Sequence, residues 1–382
     1  MILNNVARYT HRDLFSICAA FKIVLRGFAM KIKLAILEQD RSYLTRIVSA
    51  FGRKYADKFE IYSFTSPEVA LETLNSARIE VLLSSDVFEI DVTRLPNRCA
   101  FGYLVESADV EMIHNQRAVC KFQKADEIYK QILSIYAEKA STITGFKVGG
   151  DECAVIAFCS ASGGVGSSTM AAACAAHFAA KGSKVLYLNL EKFGNADLFF
   201  AGQGNFDMSD IIFALKKQNV NLPMKLEGCV RQDANGVYFY AGTKLALDMM
   251  ELNMAEILRL INELKISGGY DYIILDTEFG LDKETLKLYR QTQAVVLVGD
   301  GSAESNCKTE RAFAALSTME MNADMPLTSR MSFIYNKVSS KSGQSLNVQG
   351  LKILGGVHKY EGATTQQIIG QLAKLELFDS IV

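Results

Sequence analysis

A glycine-rich loop between an apolar segment and an alanine-rich segment is the part of this sequence best suited to bind phosphate. Residues 156–159 are apolar, Gly163, Gly164 and Gly166 follow, and small residues dominate positions 170–180. This order predicts a strand, a loop and a helix, in which backbone N–H groups and the helix N-terminus converge on an anion. Glycine allows the close approach because it has no Cβ.

Hydroxyl groups follow the loop where a nucleotide and its metal would need them. Ser168 offers a hydroxyl ligand to Mg²⁺, and Thr169 offers a donor to a phosphate oxygen. We therefore expect nucleotide contacts from one continuous stretch, made of Ser162, Gly163, Gly164, Val165, Gly166, Ser167, Ser168 and Thr169.

The same loop resembles the deviant Walker A loop of the MinD/ParA ATPases, which reads lysine-glycine-glycine-x-glycine-lysine-threonine. Ser162 stands at the signature-lysine position, and Ser167 stands at the usual lysine position. The resemblance implies ATP and Mg²⁺ as cofactors. Because cationic groups stabilise the transferring phosphoryl group, the loss of both lysines predicts hydrolysis that is slow or absent.

A second motif supplies a carboxylate near the loop. Residues 272–275 are apolar and precede Asp276, which predicts a buried strand with Asp276 at its carboxyl end. Ligands of open α/β sheets bind at this edge. The expected metal ligands are therefore Ser168 and Asp276, and Gly280 would let the backbone face the γ-phosphate.

Another predicted strand, residues 184–191, ends in polar residues. MinD/ParA proteins carry aspartate-x-aspartate here, and this sequence has Asn189 and Glu191 at those two positions. The resemblance implies that Glu191 orients the attacking water, although an acidic strand end without a role is an equal alternative. Lys192 is a candidate replacement for a missing loop charge.

Asn336 and Lys337 follow the predicted strand 331–335. In MinD/ParA relatives an asparagine at this place hydrogen-bonds adenine, so the resemblance assigns Asn336, with Lys337 beside it, to nucleotide binding. A simple turn is the alternative.

Residues 31–141 predict a separate domain. Strands over 32–37, 59–64, 81–84, 101–105 and 118–122 alternate with helices, which indicates a doubly wound parallel sheet. This part resembles a response-regulator receiver domain of flavodoxin-like fold.

The chemical residues of a receiver are incomplete in this domain. Ser85 stands at the phosphate-acceptor position, Glu38 and Asp40 at the acidic pair, and Lys121 or Lys124 at the lysine position. Asp86 is one residue late, and a one-residue shift at a strand end turns a side chain to the other face. We therefore expect a pseudo-receiver used for docking, with phosphorylation at Asp86 as an alternative. A solvated loop is equally open for Glu38 and Asp40.

The fold class is thus α/β with two doubly wound domains. Residues 1–30 are an N-terminal extension, 31–141 the pseudo-receiver, 142–152 a glycine-rich linker, and 153–382 an atypical MinD/ParA-like P-loop NTPase domain. Three interpretations of residues 1–30 stay open. They form a basic amphipathic helix on a membrane surface, they pack on a neighbour, or translation starts at Met30.

Composition excludes several classes of site. With 41 basic and 42 acidic residues the net charge is −1, so no basic field indicates binding to nucleic acid. The eight cysteines form no C-x-x-C pair and predict buried thiols of a reducing compartment.

A receiver-like domain ahead of a deviant Walker domain resembles the TadZ/CpaE group of pilus-assembly proteins. The resemblance implies a cytoplasmic, ATP-binding homodimer that marks a cell pole where the Tad/Flp pilus machinery assembles. We expect an ATP-gated scaffold. An active ParA/MinD-type positioning ATPase and a phosphorylation-responsive regulator are the alternatives.

Overall fold

The computed structural model describes residues 31–139, 153–217, 220–267, 269–321, 326–339 and 343–381. It divides into two compact units, Met1–Ile128 and Tyr129–Val382. The predicted extension 1–30 and the linker 142–152 lie outside the described residues. No helix among the described residues is long and apolar enough to cross a membrane.

The first unit is built on one mostly parallel sheet. Its strands are β1 (Ile32–Leu37), β2 (Phe59–Phe64), β3 (Val81–Ser85), β4 (Ala100–Val105), β5 (Met112–Ile113) and β6 (Gln116–Cys120), and its helices are α1 (Arg41–Lys54) and α2 (Pro67–Ser76). Helix α3 (Ala125–Lys139) begins in this unit, and its residues from Tyr129 onward belong to the second unit. The strand order is β2-β1-β3-β4-β6-β5, in which β5 alone is antiparallel to its neighbour. Both the receiver-like topology and the boundaries of β1 and β2 match the sequence prediction.

The expected alternation with helices fails after β3. Only a 3₁₀ turn, Val92–Arg94, lies between β3 and β4, and the hairpin of β5 and β6 replaces a helix after β4. His114 and Asn115 form its two-residue turn with φ of 46° and 61°. Such turns need positive φ at both positions, which asparagine tolerates better than most residues. The last parallel strand therefore starts at Gln116, two residues before the predicted start.

The second unit contains a larger sheet with helices on both faces. Its strands are β7 (Ala154–Cys159), β8 (Val185–Asn189), β9 (Arg231–Gln232), β10 (Tyr238–Phe239), β11 (Tyr272–Asp276), β12 (Ala294–Gly299), β13 (Met331–Val338) and β14 (Lys352–His358). The order is β14-β13-β12-β7-β11-β8-β10-β9, and only β9 runs antiparallel. β7, which precedes the glycine loop, is therefore central.

Helices α4 (Ser167–Ala180), α5 (Met208–Lys216), α6 (Leu222–Cys229), α7 (Ala246–Met250), α8 (Met254–Ser267), α9 (Lys283–Arg290), α10 (Ala303–Met319) and α11 (Thr365–Leu372) complete the second unit. Alternate residues of β7 face two different cores, as strand geometry requires. Ile156 and Phe158 pack with α4 and α11, whereas Val155 and Ala157 pack with α5, α8 and α10.

Small side chains set the position of α4, which starts at the glycine loop. Positions 171–176 are five alanines and one cysteine, and all are buried. Alanine has the highest helix propensity, and its short side chain lets the helix lie close to the sheet. The helix that carries the loop is thus held firmly by the core.

The C-terminal helix α11 packs on this core. Ile369 and Leu372 are buried against the cluster that contains α4. The helix ends at Leu372, and a 3₁₀ segment, Glu376–Ser380, follows.

The cysteine prediction holds for six of the described thiols, which are buried: Cys99, Cys120, Cys153, Cys159, Cys174 and Cys229. Cys307 is exposed and departs from it, and Cys18 lies outside the described residues. Burial raises the pKa of Cys159 to about 12, so that thiol stays protonated at neutral pH.

Candidate functional site

Three strand ends meet at one edge of the second sheet. β11 lies between β7 and β8, and all three are parallel, so their carboxyl ends are adjacent. The register sets Asp276 beside Phe158 on one side and Asn189 on the other. The glycine loop after β7, Asn189 and Asp276 therefore share one edge, as the sequence predicts.

The loop needs glycine at two positions for its shape. Gly164 and Gly166 have φ of 77° and 88°, values that other L-residues adopt only with strain. Gly166 is the N-cap residue of α4, and a Cβ added to it would lie 2.5 Å from Nδ2 of Asn336. The loop therefore leads directly into the positive end of a helix dipole, which favours an anion.

Asn336 and Lys337 contact the loop itself. Nδ2 of Asn336, a buried side chain, donates to the carbonyl oxygen of Val165 over 2.8 Å. Nζ of Lys337 donates to the carbonyl oxygen of Gly164 over 2.9 Å. Both residues lie within β13, not after it, and the pairing register of β13 with β14 shifts between Tyr335 and Val338. The predicted nucleotide contacts at 336 and 337 thus lie against the predicted phosphate loop.

The carboxylate of Asp276 is buried and held on one side. The hydroxyl of Tyr187 donates to its Oδ2 over 2.6 Å, and Nδ2 of Asn189 donates to the same oxygen over 2.9 Å. Its Oδ1 is buried without a hydrogen-bond partner among the described residues. Burial, and then the charge of Glu191, raise the pKa of Asp276 to about 7, although nearby hydrogen-bonding side chains oppose the rise.

Glu191 faces the start of α4. Its Oε2 accepts a hydrogen bond of 3.3 Å from the hydroxyl of Ser168. Burial raises the pKa of Glu191, Ser168 lowers it and Glu278 raises it further. Glu191 is thus near the loop, while Lys192 forms a 3.4 Å ion pair with Glu278.

These residues suit a magnesium ion better than a transition metal. Asp276 has an unpartnered buried oxygen, and Ser168 adds a hydroxyl at the first turn of α4. Oxygen ligands of this kind are the ones that Mg²⁺ selects. No group of three or more histidine, cysteine or acidic side chains within the described part of the chain would hold a metal without further ligands.

The receiver-like unit has its own polar cluster, which is closed on itself. Nζ of Lys121 lies 2.8 Å from Oε2 of Glu38 and donates to the hydroxyl of Ser85 over 3.1 Å. All three side chains are buried. Asp40 instead caps α1 through the backbone N–H groups of Ser42 and Tyr43. Of the two candidate lysines, Lys121 is the one in the cluster, and the solvated-loop interpretation of Glu38 is wrong.

Asp86 lies apart from this cluster. It is exposed, and its backbone N–H donates to the carbonyl oxygen of Leu104. The buried acceptor position is filled by Ser85, as the strand register indicates. The described contacts therefore do not bring Asp86 together with Lys121.

Sequence reasoning missed Tyr187. The signal was present, because residues two apart on a strand point to the same face and Asn189 is a site residue. Tyr187 itself received no predicted role, because it lies inside the apolar part of the predicted strand 184–191. The side chain is fully buried, yet its hydroxyl reaches the carboxylate of Asp276.

Two family models match the chain. The model described as "TadZ-like, receiver domain" matches residues 30–137, and the one described as "AAA domain" matches residues 153–300. No curated protein matches the chain significantly.

Solved structures are similar to the second unit. A ParA family ATPase from Chlorobium tepidum TLS is 21% identical, with a TM-score of 0.46 over 60% of this chain and 97% of that one. The septum site-determining protein MinD with Mg-ADP from Pyrococcus horikoshii OT3 is 17% identical, with a TM-score of 0.44 over 58% and 94%. The MinC:MinD complex from Aquifex aeolicus is 19% identical, with a TM-score of 0.43 over 58% and 94%.

The family matches agree with the division of the structure into two α/β units. The first carries a TadZ-like receiver domain, and the second carries the P-loop NTPase fold. The chain therefore has the TadZ/CpaE-type architecture, in which a receiver-like domain precedes a MinD/ParA-like domain.

Proposed function

We propose that this protein binds ATP with Mg²⁺ at the loop Ser162–Thr169 and acts as an ATP-gated, dimeric positioning scaffold for Tad/Flp-type pilus assembly. The observation that best supports the nucleotide site is that the glycine loop and Asp276 lie at the same edge of the sheet. The left-handed Gly166 caps α4 at this edge, and the buried Oδ1 of Asp276 has no partner among the described residues.

The phosphates would be held chiefly by the backbone. The loop amides and the N-terminus of α4 supply partial positive charge without any lysine in residues 162–169. Asn336 supports the loop from β13 and keeps the amide that we assign to adenine near it. The absence of loop cations predicts weaker binding than a lysine-containing loop would give.

The metal would be held by Ser168 and Asp276, with further ligands from phosphate oxygens and water. When bound, Mg²⁺ neutralises charge on the β- and γ-phosphates. Tyr187 and Asn189 hold Oδ2 of Asp276, which leaves Oδ1 to face a ligand.

Slow hydrolysis follows from the side chains at the edge. Both lysine positions are serine, and Oγ of Ser167 is buried without a hydrogen-bond partner among the described residues. Asn189 stands where the resemblance places a carboxylate, and its amide is engaged by Asp276 and Tyr187. Glu191 is the remaining acidic group that could orient water, and its raised pKa favours this basic role.

The scaffold role rests on the architecture. A TadZ-like receiver domain supports a positioning function, and its closed Glu38–Lys121–Ser85 cluster supports docking over phosphorylation. The homodimer and the pilus partners are inferred from the family resemblance. The cell pole is the proposed location on the same ground, and the membrane periphery is proposed from the basic amphipathic pattern of residues 1–30.

The proposal is tested by titrating the full chain with Mg-ATP. Binding, the mass of the protein by mass photometry, and the rate of phosphate release are measured. We expect saturable binding, a shift from monomer to dimer mass, and phosphate release near the background rate. ADP should bind without the same shift in mass.

Other outcomes separate the alternatives. Absence of nucleotide binding would reject the scaffold proposal altogether. Rapid phosphate release would favour the active positioning ATPase. Incorporation of phosphoryl from acetyl phosphate that is lost in Asp86→Ala would favour the response regulator.

A further inference from the structure

The phosphate loop has no cation of its own. Residues 160–169 contain no lysine or arginine, although a triphosphate with its metal carries net negative charge. A charge-assisted hydrogen bond is about twice as strong as a neutral one, so phosphate sites normally include at least one cation. Another part of the chain has to supply that charge if binding is to be tight.

Lys337 brings an ammonium group onto the loop from the end of β13. Its Nζ donates to the carbonyl oxygen of Gly164 over 2.9 Å. A Cβ built on Gly166 would lie 3.5 Å from the same Nζ and 3.3 Å from Cε of Lys337. The ammonium therefore lies across the loop between the two left-handed glycines.

This position disfavours a cation unless an anion is near. Gly166 is the N-cap of α4, so the ammonium is close to the positive end of the helix dipole. No acidic side chain among the described residues lies within 4.0 Å of Nζ of Lys337. An uncompensated ammonium beside a helix N-terminus would be stabilised by a bound anion, because the anion interacts favourably with the ammonium and with the positive end of the helix dipole.

Lys192, the replacement that the sequence suggests, is neutralised instead. Its Nζ forms a 3.4 Å ion pair with Oε2 of Glu278, and both side chains are about half exposed. The neighbouring Glu191 adds further negative charge. Lys192 therefore brings little net positive potential to the loop.

The backbone around Lys337 is adapted to this contact. Its φ is 58°, a left-handed value that is unfavourable for a non-glycine residue. The shift in register between Tyr335 and Val338 accompanies it. Strained residues persist where the surrounding structure holds them, and they concentrate at ligand sites.

We infer that Lys337, which lies outside the loop but in the same chain, supplies the cation that Ser162 and Ser167 do not provide, and that its ligand is the polyphosphate of the nucleotide. The inference rests on the proposed nucleotide-binding function. It assigns to Lys337 a contribution to phosphate affinity that is separate from recognition of the base.

Calorimetric titrations of the full chain test the inference. The wild type, Lys337→Met and Lys337→Arg are each titrated with Mg-ATP and, separately, with adenosine. Lys352→Met is the matched control, because Nζ of Lys352 also donates to a backbone carbonyl over 2.9 Å, at Ser380. Met keeps the backbone strain of position 337 and removes the ammonium group, with its charge and its hydrogen bond to Gly164. Thermal unfolding of each variant verifies that the fold is retained.

We expect Lys337→Met to weaken Mg-ATP binding by about tenfold or more and to reduce its salt dependence. Adenosine affinity should be unchanged, Lys337→Arg should retain most of the ATP affinity, and Lys352→Met should match the wild type. Equal weakening of ATP and adenosine, or no weakening of ATP, would overturn the inference while leaving the proposed function intact. A wild-type chain that does not bind Mg-ATP would remove the proposed function, and the inference with it.

Discussion

Tyr187 donates a 2.6 Å hydrogen bond to Oδ2 of Asp276, and the opposite oxygen of that carboxylate is buried without a hydrogen-bond partner among the described residues. The two residues lie on adjacent parallel strands and are 89 positions apart in the chain. A fully buried tyrosine thus orients the carboxylate that we propose as a metal ligand. Its aromatic ring packs in the core while its hydroxyl serves the site.

Tyr187→Phe tests this orientation. The ring is retained, but Asp276 loses one donor, so we expect a loss of about 1–3 kcal/mol in the free energy of unfolding. The Mg²⁺ concentration needed for half-maximal ATP binding should rise. Tyr240→Phe is the control, because that buried hydroxyl makes only a 3.4 Å bond to the neutral carbonyl of Leu226. Equal effects of the two variants would contradict the assignment.

The raised pKa of Asp276 predicts a pH dependence with a definite sign. The folded-state pKa of about 7 exceeds the unfolded value of about 3.9, so the folded protein holds the proton more tightly. This stabilisation is complete below the unfolded pKa and is lost as pH rises through about 7. Without Mg²⁺, the free energy of unfolding of the wild type relative to Asp276→Asn should therefore fall as pH rises from about 3.9 to about 7, as measured by urea denaturation. A constant difference would refute the shift.

Gly166→Ala should damage the loop more than the same change at a left-handed glycine just after α4. The added Cβ would meet Nδ2 of Asn336 at 2.5 Å, so either the loop or Asn336 has to move. We expect Mg-ATP affinity to fall by about tenfold or more, measured by titration, since amide positions are what hold the phosphate. Gly182→Ala provides the control, because Gly182 also has positive φ (89°) but has nothing within 4 Å of its Cβ position. Comparable losses of affinity in both variants would attribute the effect to general strain.

Lys121→Met should destabilise the receiver-like unit strongly. It leaves Glu38 buried without its 2.8 Å ion-pair partner, and such a loss costs about 3–5 kcal/mol. Lys54→Met, which breaks an exposed 2.6 Å ion pair with Asp126, should cost about 1 kcal/mol or less. Chemical denaturation measures both. Restoration of stability in Glu38→Gln/Lys121→Met would support the ion-pair explanation, and a cost for Lys121→Met no larger than for Lys54→Met would refute it.

The sequence predicted strands more reliably than the connections between them. β1 and β2 have the boundaries that the sequence predicted, and β11 ends at Asp276, as the apolar run before that residue indicated. The hairpin of β5 and β6 was missed because its first strand is only two residues long, Met112–Ile113. Its existence depends on the turn at His114 and Asn115, which no apolar pattern marks.

Position 336 illustrates what the sequence alone leaves open at the site. The apolar run predicted that β13 would end before Asn336, which left a simple turn open as the alternative to adenine recognition. The structure continues β13 through Val338 and directs Asn336 and Lys337 toward carbonyl oxygens of the loop. The shift in register that permits this depends on pairing with β14.

By itself the sequence determined the two α/β domains, the glycine loop and the carboxylate at Asp276, because periodicity, glycine placement and apolar runs are local properties of the chain. Only the tertiary structure decided which side chains complete the site. Lys337 reaches Gly164 across 173 positions, and Tyr187 reaches Asp276 across 89. Parallel pairing of β7, β8 and β11, and the place of β13 in the same sheet, create those contacts, and no local pattern encodes them.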